Sequence, residues 1–224
     1  GSGAIVLGLC MEHQTCTVKY SGEKDKNGNY LPSPLHGKKF TRFMSGNSIF
    51  TTNAKGDRVA NFPKAPRYAL ITGKIPDNVR ASILEVMESP ENIDGEYIKF
   101  IIVSQIGRDG INIFHARRSG LVTPGWHNAG MYQGLSRVMR TTSHNDLIQR
   151  EMRHRNIVNP MEITIPVKEY KFAASSSNPR IKSVDLAIYQ YAEKKSIQSH
   201  YYLRMLKQID IGCEINRVRN IVGP

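Results

Sequence analysis

Tyr97-Ile-Lys-Phe-Ile-Ile-Val103, followed at once by Ser104-Gln-Ile-Gly107-Arg-Asp-Gly110-Ile-Asn112, is the stretch on which the fold turns. A strand with one wet face alternates apolar and polar residues, whereas a strand covered on both faces reads as a nearly continuous apolar run. Residues 97–103 are of the second kind, and so is Tyr68-Ala-Leu-Ile71, which Thr72-Gly73 brings to a stop. Between the two, Pro76-Asp77 opens a helix that runs to Met87, with an acidic residue in its first turn. Gly120-Leu-Val-Thr123 is a further short strand ended by Pro124-Gly125, and Asn128 caps the next helix. Strands alternating with helices predict an α/β layer fold with a mainly parallel sheet.

Upstream, Ala4 to His13 has helical apolar spacing, and Thr15 to Tyr20 reads as a short strand. From Ser21 to Pro66 the pattern dissolves into turn formers and prolines. We read about 21–66 as a long basic insertion, tethered by Phe40, Phe43, Ile49, Phe50 and Phe62. Downstream, Ser143-His-Asn-Asp caps a basic helix carrying Arg150, Arg153 and Arg155, and Glu162 to Phe172 is strand-like. Ser183-Val-Asp185 caps a long helix from about Leu186 to Gln208. The expected division is therefore 1–142 for the layered lobe and 143–224 for a strand-plus-helix extension.

The helix after Asn128 carries Gln133-Gly-Leu-Ser-Arg137-Val-Met-Arg140. On one continuous α-helix Gln133, Arg137 and Arg140 stand at i, i+4 and i+7, on a single face. Two planar guanidiniums and an amide suit an anion with several oxygens, such as a nucleotide's terminal phosphates. The plain alternative is a solvated amphipathic helix. Ser104 and the glycines after residue 103 sit where an open α/β sheet binds ligands, outside the carboxyl ends of its strands. Trp126 either stacks on a base or packs its loop.

Lys and Arg number 31 against 19 Asp and Glu, a net charge of +12 and a pI near 9.7, which favours a polyanionic partner, nucleic acid before an anionic membrane surface. No apolar run approaches membrane-spanning length. Cys10, Cys16 and Cys213 have no paired-ligand spacing and read as reduced thiols of an intracellular protein. His115, His127, His144 and His154 form no recognisable metal-ligand set.

Ser104…Gly110-Ile-Asn112 and Gln133-Gly-Leu-Ser-Arg137-Val-Met-Arg140 together resemble motifs V and VI of superfamily 2 helicases and translocases. Gly73-Lys-Ile-Pro-Asp-Asn-Val-Arg80 is similar to an earlier strand-glycine-helix element of that superfamily. The tail Ser183-Val-Asp-Leu…Cys213-Glu-Ile-Asn216…Arg219-Asn220 looks like that of the early-transcription-factor and nucleoside-triphosphatase helicases of large DNA viruses. The resemblance implies the second of two RecA-like lobes, a three-layer α/β fold, with ATP and Mg²⁺ held mainly by the first lobe. Carried over by position, Arg137 and Arg140 reach the γ-phosphate as arginine fingers, and Gln133 sits by the nucleotide. Gly110 and Asn112 lie beside its sugar, while Ser104, Gly73 and Lys74 meet the nucleic-acid backbone. The implied partners are nucleic acid, DNA favoured over RNA, the first lobe, and a viral RNA polymerase, with no membrane. The implied setting is the virion or the host cytoplasm.

The sequence departs from that pattern in places. Ser136 stands where motif VI usually has Gly, and there is no G-x-x-x-x-G-K-[ST] phosphate loop and no acidic metal box. The expectation is a piece of a motor that does not hydrolyse ATP by itself. A docking module for nucleic acid or polymerase, without an ATPase role, is the rival from another class.

Overall fold

The computed structural model describes residues 2–104, 111–178 and 180–209. Its helices are α1 (Ser2–Glu12), α2 (Asp77–Glu88), α3 (Asn128–Leu135), α4 (Asn145–Arg155) and α5 (Val184–Ile209). The strands are β1 (Tyr20–Lys24), β2 (Tyr30–Pro32), β3 (Thr41–Arg42), β4 (Phe50–Thr52), β5 (Arg58–Ala60), β6 (Arg67–Ile71), β7 (Phe100–Val103), β8 (Arg118–Leu121) and β9 (Lys168–Lys171). They form two compact units, the first Gly1–Arg117 with Arg137–Val167, the second Arg118–Ser136 with Lys168–Pro224.

The first unit is built on a parallel sheet in the order β3-β6-β7, with Thr41 beside Arg67 and Tyr68 to Ile71 beside Phe100 to Val103. All five residues of β6 are buried, and their alternation explains the continuous apolar run. Tyr68 and Leu70 join a cluster with Cys16, Leu35 and Phe40, against which Met11 of α1 packs. Ala69 and Ile71 join the other cluster, with Ile83 and Val86 of α2, Ile98, Ile111 and Val138. Each fully covered aliphatic side chain stabilises by about 1.5–3 kcal/mol. Helix on one face, sheet, helix on the other: this is the three-layer α/β arrangement of a RecA-like lobe, and the long helix α5 follows it toward the C-terminus.

Local chemistry places these helices. In α2 the buried residues Val79, Ser82, Ile83, Val86 and Met87 fall at the spacing of one face, and the helix ends at extended Ser89, immediately before Pro90. On α1, a Cβ at Gly8 would stand 2.9 Å from a ring carbon of Tyr68, so only glycine lets the helix approach. The Tyr68 hydroxyl donates to Glu12 at 2.5 Å, and burial, then Glu12, push it up to about 12.

Residues 21–66 are not the patternless insertion expected. They supply the β1–β2 and β4–β5 hairpins and β3, an edge strand of the central sheet. Their turn formers close hairpins: the Asp25 carboxylate accepts from the N–H groups of Asn27 and Asn29, and Gly28 takes φ +84°. Asn53 and Gly56 (φ +85°) do the same for β4–β5. Apart from β1, these strands have only two or three residues, too short to show a period, which is why the sequence looked structureless. Phe40, Phe43, Ile49 and Phe50 are core residues, whereas Phe62 remains 38% exposed. The strand expected over 15–20 reduces to one bridge between Thr15 and Lys39.

The division at residue 142 also gives way. Helix α4 belongs to the first unit, burying Leu147 and Arg150, while residues 118–121 belong with the later segment because β8 pairs in parallel with β9. The tie on α4 is electrostatic. Arg150 donates to Asp94 at 2.9 Å, Gly22 N–H donates to the same carboxylate at 2.7 Å, and Arg117 approaches it at 3.3 Å. Burial raises Asp94, but the Arg150 hydrogen bond and charge, Gly22 and Arg117 outweigh it and hold the carboxyl below its ordinary value. A β-carbon on Gly22 would collide with this pair, 2.4 Å from Asp94 and 2.5 Å from Arg150. Of the cysteines, Cys10 is exposed and Cys16 buried, both free; Cys213 lies outside the described residues.

In the second unit α3 and α5 accompany the two-stranded β8–β9 sheet. The Ser183 hydroxyl accepts from Leu186 N–H at 3.1 Å and caps α5. Its last described stretch, residues 197–207, is exposed throughout.

Candidate functional site

Strands β6 and β7 end side by side, and Ser104 N–H donates to Ile71 carbonyl at 2.9 Å, carrying the pairing one residue past β7. The chain leaving β6 turns at Thr72–Ile75, where Ile75 N–H reaches Thr72 carbonyl at 3.2 Å and leaves Gly73 and Lys74 exposed. The three residues expected to meet a nucleic-acid backbone, Gly73, Lys74 and half-buried Ser104, thus share the carboxyl edge of a parallel sheet. That edge is where open α/β sheets place ligands.

Gly110 lies outside the described residues. Immediately after it, Ile111 and Ile113 are buried in the core and Asn112 between them is exposed. Period-two anchoring aims the Asn112 amide outward. There it meets Arg140, whose Nη1 donates to Asn112 Oδ1. Nearby, Ile113 N–H donates to the Arg137 carbonyl at 3.4 Å, and Val138 is buried in the same cluster as Ile111 and Ile113. The segment after β7 and the arginine segment are therefore laced together by one side-chain bond, one backbone bond and shared core contacts. Arg137 is half-buried and Arg140 exposed.

The single helical stripe of Gln133, Arg137 and Arg140 does not form. Helix α3 ends at Leu135, residues 136–138 make a 3₁₀ turn, and Arg140 lies beyond it. An α-helix would join Arg137 N–H to the Gln133 carbonyl; here the Ser136 hydroxyl donates to that carbonyl at 3.2 Å. A serine hydroxyl competing for a helix carbonyl favours such an ending. Gln133 consequently belongs to the second unit, exposed on α3, and both arginines to the first. The N-cap of α3 is His127 rather than Asn128, whose amide donates instead to Glu193 of α5 at 2.9 Å.

Sequence reasoning missed the residue that ties the stretch after Asn112 to the start of α4. His115 is buried and has φ +59°, a left-handed backbone that a non-glycine residue adopts only under constraint. Its N–H donates to the Ser143 carbonyl at 2.9 Å, and its Nε2 lies 2.9 Å from Asp146 in the first turn of α4. His144 Nε2 in turn reaches the Ala116 carbonyl at 2.9 Å. These histidines tie residues 115–116 to residues 143–146. Nothing in the local pattern marks such a role, because it depends on a backbone angle. Among the described residues, no group of three or more His, Cys, Asp or Glu is placed to hold a metal ion, and no helix is long and apolar enough to cross a membrane.

What the arrangement offers chemically is an exposed guanidinium held by a neutral amide, beside a second, half-buried one. An anion with several oxygens is a stronger acceptor than the Asn112 amide, since hydrogen bonds between two charged groups exceed those with one.

No protein-family model matches the chain. Curated relatives are proteins of large DNA viruses. The chain is 25% identical over 193 residues to the protein named "Putative helicase 087L" of Invertebrate iridescent virus 3, which covers 82% of this chain and 19% of that protein. It is 29% identical over 154 residues to a "Termination factor NPH-I homolog" of African swine fever virus, covering 68% of this chain and 21% of the relative. To the "Putative ATP-dependent RNA helicase R350" of Acanthamoeba polyphaga mimivirus it is 22% identical over 161 residues, 70% of this chain and 18% of that one. The chain spans about a fifth of the length of these relatives.

Proposed function

We propose that this chain is the second RecA-like lobe of an ATP-dependent helicase or translocase of the superfamily 2 type, working on nucleic acid during viral transcription. The observation that carries the reading is the lacing of Asn112 and Ile113 to Arg140 and Arg137. It joins the two segments that resemble the superfamily's nucleotide-sensing motifs. The relatives' names, helicase and termination factor, support the same reading and suggest viral RNA polymerase as a partner.

In this mechanism ATP and Mg²⁺ are held mainly by the first lobe. Arg137 and Arg140 reach toward the γ-phosphate; Arg140 exchanges the Asn112 amide for a phosphate oxygen as the lobes close. Two guanidiniums fit this role through their planar forks and permanent charge. Asn112 is assigned to the sugar of the nucleotide, as the resemblance implies. Ser104, Gly73 and Lys74, at the sheet's carboxyl edge, grip the nucleic-acid backbone. Loss of the γ-phosphate releases the arginines, and the change in closure is passed to that grip through β6 and β7.

The test is turnover by the chain joined to its nucleotide-binding lobe, with and without nucleic acid. Arg137→Ala or Arg140→Ala is expected to lower kcat by about 10³-fold or more, the scale of arginine fingers elsewhere. Unchanged, nucleic-acid-stimulated turnover in both variants would instead support a docking module for nucleic acid or polymerase.

A further inference from the structure

A second surface with recognisable chemistry lies in the second unit. Strands β8 and β9 pair in parallel, Arg118 beside Lys168 and Gly120 beside Tyr170. Side chains alternate along a strand, so Arg118, Gly120, Lys168, Tyr170 and Phe172 share one face. A Cβ placed on Gly120 would stand 3.0 Å from the Phe172 ring, which puts that ring over the glycine. The rings of Tyr170 and Phe172 lie nearly parallel, 22° apart with centroids 6.3 Å from each other. Both are open to solvent, at 41% and 53%. On the opposite face Lys171 packs over Tyr132 of α3 at 5.1 Å. The platform's backbone is secured by Phe172 N–H to Leu121 carbonyl at 2.9 Å, and by Tyr189 hydroxyl to Phe172 carbonyl at 3.0 Å.

We infer that this sheet face is a binding platform for single-stranded nucleic acid, with bases stacking on Tyr170 and Phe172 and phosphates drawn to Arg118 and Lys168. Two exposed rings beside two exposed cations, with Glu169 turned to the other face, match a polyanion that carries planar groups. A duplex does not fit, because its bases are already stacked on each other. Gly120 keeps the platform flat; any side chain there would displace the Phe172 ring. The site uses none of the residues proposed to contact the nucleotide or the nucleic-acid backbone, and the inference does not depend on ATP turnover.

Fluorescence anisotropy of labelled oligothymidylate and oligouridylate of about a dozen nucleotides, on the whole chain without nucleotide, tests this. Replacing Tyr170 and Phe172 together by Ala is expected to weaken single-strand binding by about tenfold or more, and Phe172→Tyr to leave it within about twofold. Lys168→Gln is expected to flatten the log–log salt dependence by about 0.7. Unchanged affinity in a double variant with native circular dichroism overturns the inference. If that variant does not fold, cross-linking of iodouracil oligonucleotides to the wild-type chain decides: adducts on Tyr170 or Phe172 support the platform, and adducts only elsewhere refute it. Unchanged strand affinity with lost association to the nucleotide-binding lobe would refute it in favour of a protein surface. The readout is strand binding without nucleotide and the ATPase test is turnover with it, so this site and the ATPase reading fail separately.

Discussion

Replacing Asp94 by Asn removes one charge while keeping the side chain's shape, and the structure sets the cost. Arg150 is 2% exposed, and its direct partner is Asp94 at 2.9 Å; its other carboxylate, Glu23, is 3.7 Å away and 55% exposed. The variant therefore leaves a guanidinium buried beside a distant, solvated carboxylate. Breaking a buried ion pair from one side costs about 3–5 kcal/mol, and residual attraction to Glu23 places this case near the lower end, about 3 kcal/mol. In a domain of this size that corresponds to a fall of about 6–12 °C in Tm. Urea denaturation should show a lower midpoint with an unchanged slope. The carboxyl's folded-state value lies below its ordinary 3.8, so its contribution is full above that pH and is lost as pH falls through the folded value. The gap between wild type and variant must therefore close on acidification. Adding Arg150→Met to the variant should recover part of the loss, because it removes the orphaned charge. A loss below about 1 kcal/mol at neutral pH, or a double variant less stable than the single one, would refute the account.

Other consequences follow from the same geometry. Asn112→Ala should lower kcat of the two-lobe enzyme less than Arg140→Ala does, since it removes the guide and keeps the charge; equal losses in single-turnover assays would show that the amide does more than position. His115→Val should destabilise more than His115→Asn, by at least about 1 kcal/mol in urea, because Asn tolerates φ +59° and a β-branched side chain does not. Gly8→Val should cost about 1–3 kcal/mol by forcing α1 off Tyr68, read as a lower Tm. Tyr68 is raised from 10.0 to about 12 by burial and Glu12, so its contribution is full below pH 10 and is lost as pH rises toward 12; Tyr68→Phe should show a shallower alkaline loss of stability.

Much of the layered core could be read directly. The apolar run at residues 68–71 implied a strand covered on both faces, and β6 is buried at every position; the run at 97–103 is a strand only from Phe100 to Val103, where Phe100 is exposed and the rest half-buried. The acidic start at Asp77 and the apolar spacing to Met87 located α2 to within a residue. Where local chemistry was ambiguous, the reading failed. The turn formers around Asn27-Gly28 looked like a break in the chain and close the β1–β2 hairpin, since the same residues serve both uses. Ser136 looked like a tolerated helical residue and marks the end of α3.

From sequence alone come the elements whose signal is local: the period of the apolar residues, the caps, the excess of positive charge, and the residue types that suit phosphate. Tertiary structure alone decided which segments keep company. It placed α4 with the first unit through Arg150 and Asp94, joined residues 118–121 to 168–171, and bonded Arg140 to Asn112. The physical reason is that helix spacing and turn chemistry act over a few residues, whereas parallel strand pairing and ion pairs bind segments tens of residues apart and leave no period in the chain between them.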